Sequence, residues 1–191
     1  MDRRPISTRR RALWGLAAAV PLKGRSPQAN APGKLLTEED HLDVGGRGPE
    51  MIERAKTLGR EFMAKHGNCA QSTLAALQDA IEFIPKNEHA FLAGSCLNGA
   101  ATANGQANCG GFTGAGIVIG DLCGRSREKF GDRGAVKLSS ALIREVAGKF
   151  EEAYGTVICR DVREKAQKNC PEVVARAAGW AAEVLLKQFA K

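Results

Sequence analysis

Residues 171–189 read PEVVARAAGWAAEVLLKQF, and this stretch decides the fold class. Its apolar residues recur every three or four positions, which is the spacing of one face of an α-helix. The residues on this face are Val173, Val174, Ala177, Trp180, Val184 and Leu185. Pro171 suits the first turn of a helix, because the N–H that proline lacks would have no partner there. The stretch therefore predicts a long amphipathic helix that buries one face against other elements.

The same helical spacing returns along the chain before this stretch. Predicted helices cover about residues 49–66, 68–83, 86–93, 113–122, 132–154 and 159–167. Pro85 ends the second of these helices, and no stretch alternates apolar and polar residues as a half-buried strand does. The sequence predicts an all-α fold, a single helical-bundle-like domain over residues 49–191 that contains a glycine-rich loop at 94–116.

The first 31 residues have the parts of an export signal. Ser7-Thr8-Arg9-Arg10-Arg11 carries paired arginines, an apolar stretch follows at 12–22, and Ala29-Asn30-Ala31 matches the A-x-A cleavage pattern. This apolar stretch is too short to span a bilayer as a helix, which takes about 20 residues. The arginine pair resembles the twin-arginine signal, a receptor-read address. We expect residues 1–31 to be a signal peptide cleaved after Ala31 and the protein to be periplasmic; a disordered basic tail and an uncleaved membrane tether are the alternatives.

The excess positive charge of the chain lies in this segment. The whole sequence has 28 Lys and Arg against 21 Asp and Glu. Residues 1–31 hold seven of the basic residues and one of the acidic ones, so 21 basic and 20 acidic residues remain. This balance gives no support to nucleic-acid binding, which needs a basic face on the folded domain. Residues 32–48 are polar and contain four glycines, which predicts a flexible lead-in, and no later apolar run is long enough for a stable membrane span.

Six cysteines carry the informative chemistry: Cys69, Cys96, Cys109, Cys123, Cys159 and Cys170. They form no C-x-x-C pair and no C-x-x-C-H motif, so a covalent c-type haem is not expected. Zinc-finger spacing is absent as well. An even number of cysteines in an exported protein is also consistent with three disulfides.

Four of the cysteines stand at predicted helix starts. Asparagine, a favoured N-cap residue, precedes Cys69, Cys109 and Cys170, and Cys159 follows the turn at Gly155. A helix N-terminus offers unpaired N–H donors and about half a positive charge, which together stabilise a thiolate and lower its pKa. We expect these four thiols to converge on one centre, which holds a metal cluster or a reactive dithiol.

Two short motifs and two later cysteines match a known pattern. The motifs are Gly67-Asn68-Cys69-Ala70-Gln71-Ser72 and Cys109-Gly110-Gly111-Phe112-Thr113-Gly114-Ala115, with Cys159 and Cys170 after them. In these features the chain resembles the C_GCAxxG_C_C family over about residues 50–188. Members are described as redox-active proteins, and the family includes the C-terminal region of split-Soret cytochrome c, a helical protein with an iron–sulfur centre. Cys96 and Cys123 are additional to the family cysteines, and Gly111 stands where alanine is usual.

The resemblance implies a redox role and leaves several interpretations open. In the first, Cys69, Cys109, Cys159 and Cys170 hold an iron–sulfur cluster for electron transfer with an unknown partner protein, and the backbone of Gly110 and Gly111 approaches the cluster. In the second, no metal is bound and a thiolate of Cys69 or Cys109 starts thiol–disulfide exchange. In the third, disulfides only stabilise a structural or binding domain. The sequence leaves open whether the protein is an enzyme and whether it forms a homodimer.

Overall fold

The computed structural model describes residues 34–191, so the predicted signal peptide lies outside the described residues. The helices are α1 (Gly48–His66), α2 (Cys69–Ala80), α3 (Glu88–Ala93), α4 (Gly110–Cys123), α5 (Lys137–Tyr154), α6 (Cys159–Lys165) and α7 (Cys170–Phe189). Short 3-10 turns lie at Gly94–Cys96, Gly99–Ala101 and Arg133–Val136. Within this described part of the chain there is no β-strand, and the predicted all-α class is confirmed.

Helix α7 is the central element of the bundle. Its largest interface is with α1, and it also packs against α2, α4 and α5. The buried residues of α7 include Val174, Ala177, Ala178, Ala181, Leu185 and Phe189. Small residues bring the two longest helices close together, since a Cβ added at Gly59 of α1 would lie 3.1 Å from the carbonyl oxygen of Val174. The periodic apolar face that predicted this helix is therefore the centre of the core.

Helix α4 begins at Gly110, three residues before the predicted start, and the glycine-rich loop is correspondingly shorter. The reason is close packing between helices rather than helix propensity. A Cβ at Gly114 would overlap the carbonyl oxygen of Ala70 and lie 2.9 Å from Cβ of Thr73, so α4 crosses α2 with the two backbones nearly in contact. A Cβ at Gly111 would lie 2.8 Å from Cβ of Ala177 in α7. Glycine, which is unfavourable in a helix interior, is therefore used here for contact between helices.

Two other helix boundaries differ from the predicted ones by three residues or more. Helix α2 ends at Ala80 rather than near residue 83, because Ile81 adopts an extended backbone with φ −116° and ψ 113°. Ile81 and Ile84 are buried, so the turn before Pro85 belongs to the core. The first turn of the helix predicted from residue 132 is the 3-10 turn, and Asp132 accepts a hydrogen bond from the N–H of Gly134 (2.7 Å).

The segment before α1 lies against the end of the bundle. The N–H of Leu36 donates to the carbonyl oxygen of Leu122 (2.8 Å), and the N–H of Leu42 donates to that of Phe189 (2.7 Å). Lys191 donates its N–H to the carbonyl oxygen of Leu42 (2.9 Å), and Val44 is buried. Residues 34–47, which fall in the segment predicted to be a flexible lead-in, are thus held to α4 and α7 by backbone hydrogen bonds of Leu36 and Leu42. Among residues 34–191, no helix is both long enough and apolar enough to cross a bilayer.

Candidate functional site

The four candidate cysteines all lie where helices begin. Cys69, Cys159 and Cys170 are the first residues of α2, α6 and α7, and Cys109 is the residue immediately before α4. Side chains of Asn68 and Asn169 cap α2 and α7 by accepting the N–H of the third residue of each helix. Asn108 does not act as a cap, because it lies one residue too early and pairs with the chain before α6 instead.

An isolated antiparallel bridge brings two of these cysteines together. Asn108 lies opposite Ile158. The N–H of Cys109 donates to the carbonyl oxygen of Val157 (2.7 Å), and that of Cys159 donates to the oxygen of Ala107 (2.9 Å). Successive side chains of an extended chain point to opposite faces, so Cys109 and Cys159 leave the bridge on the same face. Cys109 and Cys159, 50 positions apart in the sequence, are therefore neighbours by backbone pairing.

Two glycines provide the space that two of the sulfur atoms occupy. A Cβ added at Gly110 would overlap Sγ of Cys69 and lie 2.9 Å from the backbone nitrogen of Ala70. A Cβ added at Gly99 would overlap Sγ of Cys159. Each thiol thus lies directly against a glycine backbone, and a methyl group at either glycine would displace a sulfur atom.

Burial dominates the electrostatics of Cys109 and Cys159. Burial raises the pKa of the Cys109 thiol to about 12; nearby Cys69 and Cys159 raise this pKa further, while the N–H groups of Gly111 and Phe112 oppose the rise. Burial also raises the pKa of Cys159, as do Cys69 and Cys170, and the positive charge of Arg163 opposes them. The expectation of lowered pKa values at helix starts is wrong for these two thiols, because desolvation outweighs the N–H donors.

These pKa shifts also bear on the arrangement of the four cysteines. Cys69 raises the pKa of both Cys109 and Cys159. Cys159 also raises the pKa of Cys109, and Cys170 raises that of Cys159. The structure therefore gathers the four sequence-predicted residues into one region at the helix starts. Cys109 and Cys159 are buried there, whereas Cys69 and Cys170 are partly exposed.

The backbone immediately before two of the cysteines is strained. Within the described residues, the only non-glycine residues with positive φ are Asn68 (48°), Gln167 (51°) and Lys168 (63°). Such conformations cost of order 1–3 kcal/mol each and concentrate at functional sites. Asn68 directly precedes Cys69, and the other two lie in the turn that leads to Cys170. The chain therefore accepts local strain where it positions these cysteines.

A loop covers the helix starts. The side-chain amide of Asn68 donates to the carbonyl oxygen of Ser95 (3.0 Å), and that of Gln71 donates to the Ser95 hydroxyl (2.9 Å). Thr113 donates its hydroxyl to the carbonyl oxygen of Leu97 (2.6 Å). These bonds hold the loop of residues 94–99 against α2 and α4. Gly99, the last residue of this loop, lies against the sulfur of Cys159.

A group of charged and aromatic residues beside the site was not predicted from the sequence. Glu172, two residues after Cys170, accepts hydrogen bonds from Arg60 (2.8 Å) and Arg176 (3.2 Å), and these hydrogen bonds lower its pKa. Burial raises the pKa of Tyr154, which Arg176 opposes and the neighbouring Cys109 raises further. Arg60 is 112 positions from Glu172, so no local pattern could have identified this group.

The two additional cysteines are not among the four at the helix starts, and only Cys96 belongs to the covering loop. Cys96 is exposed at the end of its 3-10 turn. Cys123 is buried at the far end of α4, where its thiol donates to the carbonyl oxygen of Ile119 (3.2 Å) and burial raises its pKa to about 11. The 14 residues of α4 place Cys123 about 20 Å along the helix from Cys109.

The four cysteines have the donor chemistry of an iron–sulfur cluster, but their side chains are not spaced to hold one in this structure. Four thiols are the ligand set of such clusters; two of these thiols are buried, and N–H groups approach the Cys109 sulfur. Among residues 34–191, however, no three Cys, His, Asp or Glu side chains are placed to hold a metal ion. A cysteine sulfur moves among three staggered positions by rotation about a single torsion, so binding would require some of these thiols to turn inward. All six cysteines are free thiols in this structure.

Comparison with known proteins identifies the family of this chain. A family model described as "Putative redox-active protein (C_GCAxxG_C_C)" matches residues 67–184, more than half of the chain. The matched region begins just before α2, contains all four cysteines at helix starts and ends within α7. No curated protein and no solved structure matches the chain.

Proposed function

Because this chain belongs to the C_GCAxxG_C_C family of redox-active proteins, we propose that its redox centre is formed by Cys69, Cys109, Cys159 and Cys170. The family resemblance inferred from the sequence motifs is confirmed. The observation that carries the proposal is the backbone bridge that sets Cys109 and Cys159 on one face, with Cys69 against Gly110 beside them.

The proposed centre is an iron–sulfur cluster that transfers electrons. A bound cluster would supply a group that accepts and releases single electrons. The raised pKa of Cys109, about 12 because of burial, supports this choice. At neutral pH this thiol stays protonated unless a metal cation replaces the proton, because a buried thiolate without a positive partner is costly. Burial in this set therefore favours metal-bound sulfur over free thiolate.

The residues around the proposed centre have distinct parts in it. Gly110 and Gly99 leave room for the sulfurs of Cys69 and Cys159. The N–H groups of Gly111 and Phe112 point at the Cys109 sulfur, and hydrogen bonds to sulfur tune the reduction potential of clusters. In the covering loop at residues 94–99, Gly99 lies directly against the sulfur of the buried Cys159.

Metal-free thiol–disulfide exchange is the second candidate. It is favoured by one observation: a partly exposed thiol, Cys69, lies next to the buried Cys109 and Cys159. In this scheme the Cys69 thiolate attacks a substrate disulfide, forms a mixed disulfide and releases one substrate thiol. Cys109 or Cys159 then attacks the Cys69 sulfur, which releases the second substrate thiol and leaves a disulfide in the protein. The substrate gains two electrons, and the protein loses two.

One preparation distinguishes the two candidates. The full chain is expressed and purified without oxygen, and its visible spectrum, iron and acid-labile sulfide are measured. We expect a brown protein whose iron is lost in Cys109→Ser and kept in the matched variant Cys123→Ser. A colourless, iron-free protein that forms an internal disulfide with Cys69 would select thiol exchange instead. If both variants contain the same amount of iron, Cys109 is not a ligand of the centre.

We further propose that the protein is exported by the twin-arginine route with residues 1–31 as its signal. This route carries folded proteins, so a cofactor could be inserted before export. The test is to express the full chain with Arg9→Lys and Arg10→Lys and to measure how much protein reaches the periplasm. We expect the double variant to remain inside the cell at full length, while Arg3→Lys and Arg4→Lys are exported as before. Equal export of both pairs would reject the proposal.

A further inference from the structure

A cavity of about 360 Å³ lies beside the start of α6, outside the cysteine site. One wall is the loop at residues 103–105, and the other is α6 with the turn that follows it. Its charged lining consists of Arg160, Arg163, Glu164 and Lys168, three cations against one carboxylate. The cavity therefore has an excess of positive charge in a concave surface.

Two of the three cations of this cavity make no ion pair with a carboxylate of the described residues. Arg160 pairs with Asp161 (2.9 Å), but within residues 34–191 neither Arg163 nor Lys168 makes an ion pair. A second cavity, near the start of α1, shows the opposite balance. It is lined by Arg47 and Arg54 against Glu50, Asp79 and Glu82, and Arg47 is already paired with Glu82.

Backbone contacts fix both walls of the positively charged cavity. Gly105 has φ +68°, its carbonyl oxygen accepts the N–H of Arg160 (2.9 Å), and an added Cβ would lie 3.2 Å from Cβ of Arg160. On the other wall, the N–H of Lys168 donates to the carbonyl oxygen of Arg163 (2.7 Å) in a left-handed conformation. The cations are thus carried on a preformed frame, which lowers the entropy cost of binding a ligand.

We propose that this cavity binds a small polyanion, a molecule that carries phosphate or several carboxylate groups. Arginine and lysine recognise such groups by charge-assisted hydrogen bonds, and two of the cations here have no competing partner. Cys159 is the residue next to Arg160, so the bound anion would lie beside the redox centre without touching its sulfurs. The proposal holds whether the cysteines carry a cluster or act as free thiols.

The test uses backbone NMR of the full chain titrated with citrate or inorganic phosphate, at constant ionic strength maintained with chloride. We expect saturable shifts in the amides of residues 103–105 and 163–168. The variant Arg163→Gln/Lys168→Asn should weaken the apparent affinity at least about tenfold, because it removes two charged hydrogen-bond donors. Asparagine is chosen at 168 because it tolerates positive φ.

The matched control is Lys137→Gln/Lys165→Gln, which removes the same charge from exposed positions outside the cavity. We expect it to bind as the unchanged protein does. Saturation by citrate alone assigns carboxylate recognition, saturation by phosphate alone assigns phosphate, and both outcomes support the proposal. Shifts that do not saturate, or equal weakening in the two double variants, would overturn it. Neither result depends on iron or thiol content, so the proposed redox function is tested separately.

Discussion

The α1–α7 core and the cysteine region are built in different ways. In the core, long helices meet through periodic apolar side chains, and residues such as Val174, Leu185 and Phe189 are fully buried. In the cysteine region, the chain is positioned by glycine contacts, an isolated bridge and N-caps, and some residues have left-handed backbone. Burial of apolar side chains in the core therefore supplies most of the stability. Part of this stability offsets the cost of the left-handed backbone that positions the cysteines.

The largest effect is expected from a core substitution far from the cysteines. Phe189→Ala removes a fully buried ring and should lower the free energy of unfolding by about 3–5 kcal/mol. Urea unfolding followed by circular dichroism measures this change. The folded fraction should keep the iron content and reduction potential of the unchanged protein. Altered redox properties would mean that the two regions are not separable.

The next effect is expected at a glycine of the cysteine region. Gly110→Ala places a methyl group on the sulfur of Cys69 and should lower the free energy of unfolding by about 1–3 kcal/mol through overpacking. It should also reduce the iron bound by anaerobically prepared protein. The control Gly148→Ala, in α5 with open space around it, should instead raise stability by about 1 kcal/mol. If both variants bind iron equally, Gly110 does not provide space for the site.

A smaller effect is expected from a cap. Asn169 accepts the N–H of Glu172 at the start of α7, so Asn169→Ala should lower the free energy of unfolding by about 1 kcal/mol. Asn169→Ser keeps a capping oxygen and should stay within a few tenths of the original value. Thermal and urea unfolding of both variants measure the difference, and equal losses would show that the cap contributes nothing.

The smallest effect is expected to be a gain. Gln167 has φ 51°, a conformation that glycine adopts without strain, so Gln167→Gly should raise the free energy of unfolding by about 0.5 kcal/mol. Lys165→Gly, at the last residue of α6, should lower it by a similar amount. Parallel urea titrations decide the matter. A lower free energy of unfolding in Gln167→Gly would show that the backbone at position 167 is not strained.

The core could be predicted from the sequence because its signal is local. The apolar faces of α1, α5 and α7 repeat at helical spacing, and Gly155 marks the end of α5 as predicted. The helix starts at Cys69 and Cys170 could also be predicted, because Asn68 and Asn169 are capping residues that can be identified from sequence alone. The same reasoning was wrong for Asn108, which does not cap α4.

The geometry of the candidate site could not be predicted, because it depends on contacts between distant residues. Gly99 against Cys159 and Gly110 against Cys69 are visible only once the helices are packed. The same packing buries Cys109, which is why the predicted direction of its pKa was wrong. The glycines at the start of α4 read as a loop because helix propensity is low there, and contact with α2 and α7 overrides it.

The central position of α7 has a consequence for how the protein is made. Cys170 begins this helix and Phe189 ends it, so the last helix of the described chain contributes to both the cysteine region and the hydrophobic core. During synthesis, α1, α2 and α4 emerge before α7, and each of them shares an interface with it. These interfaces can form only after α7 has been synthesised, so the completion of the core is a late step of folding.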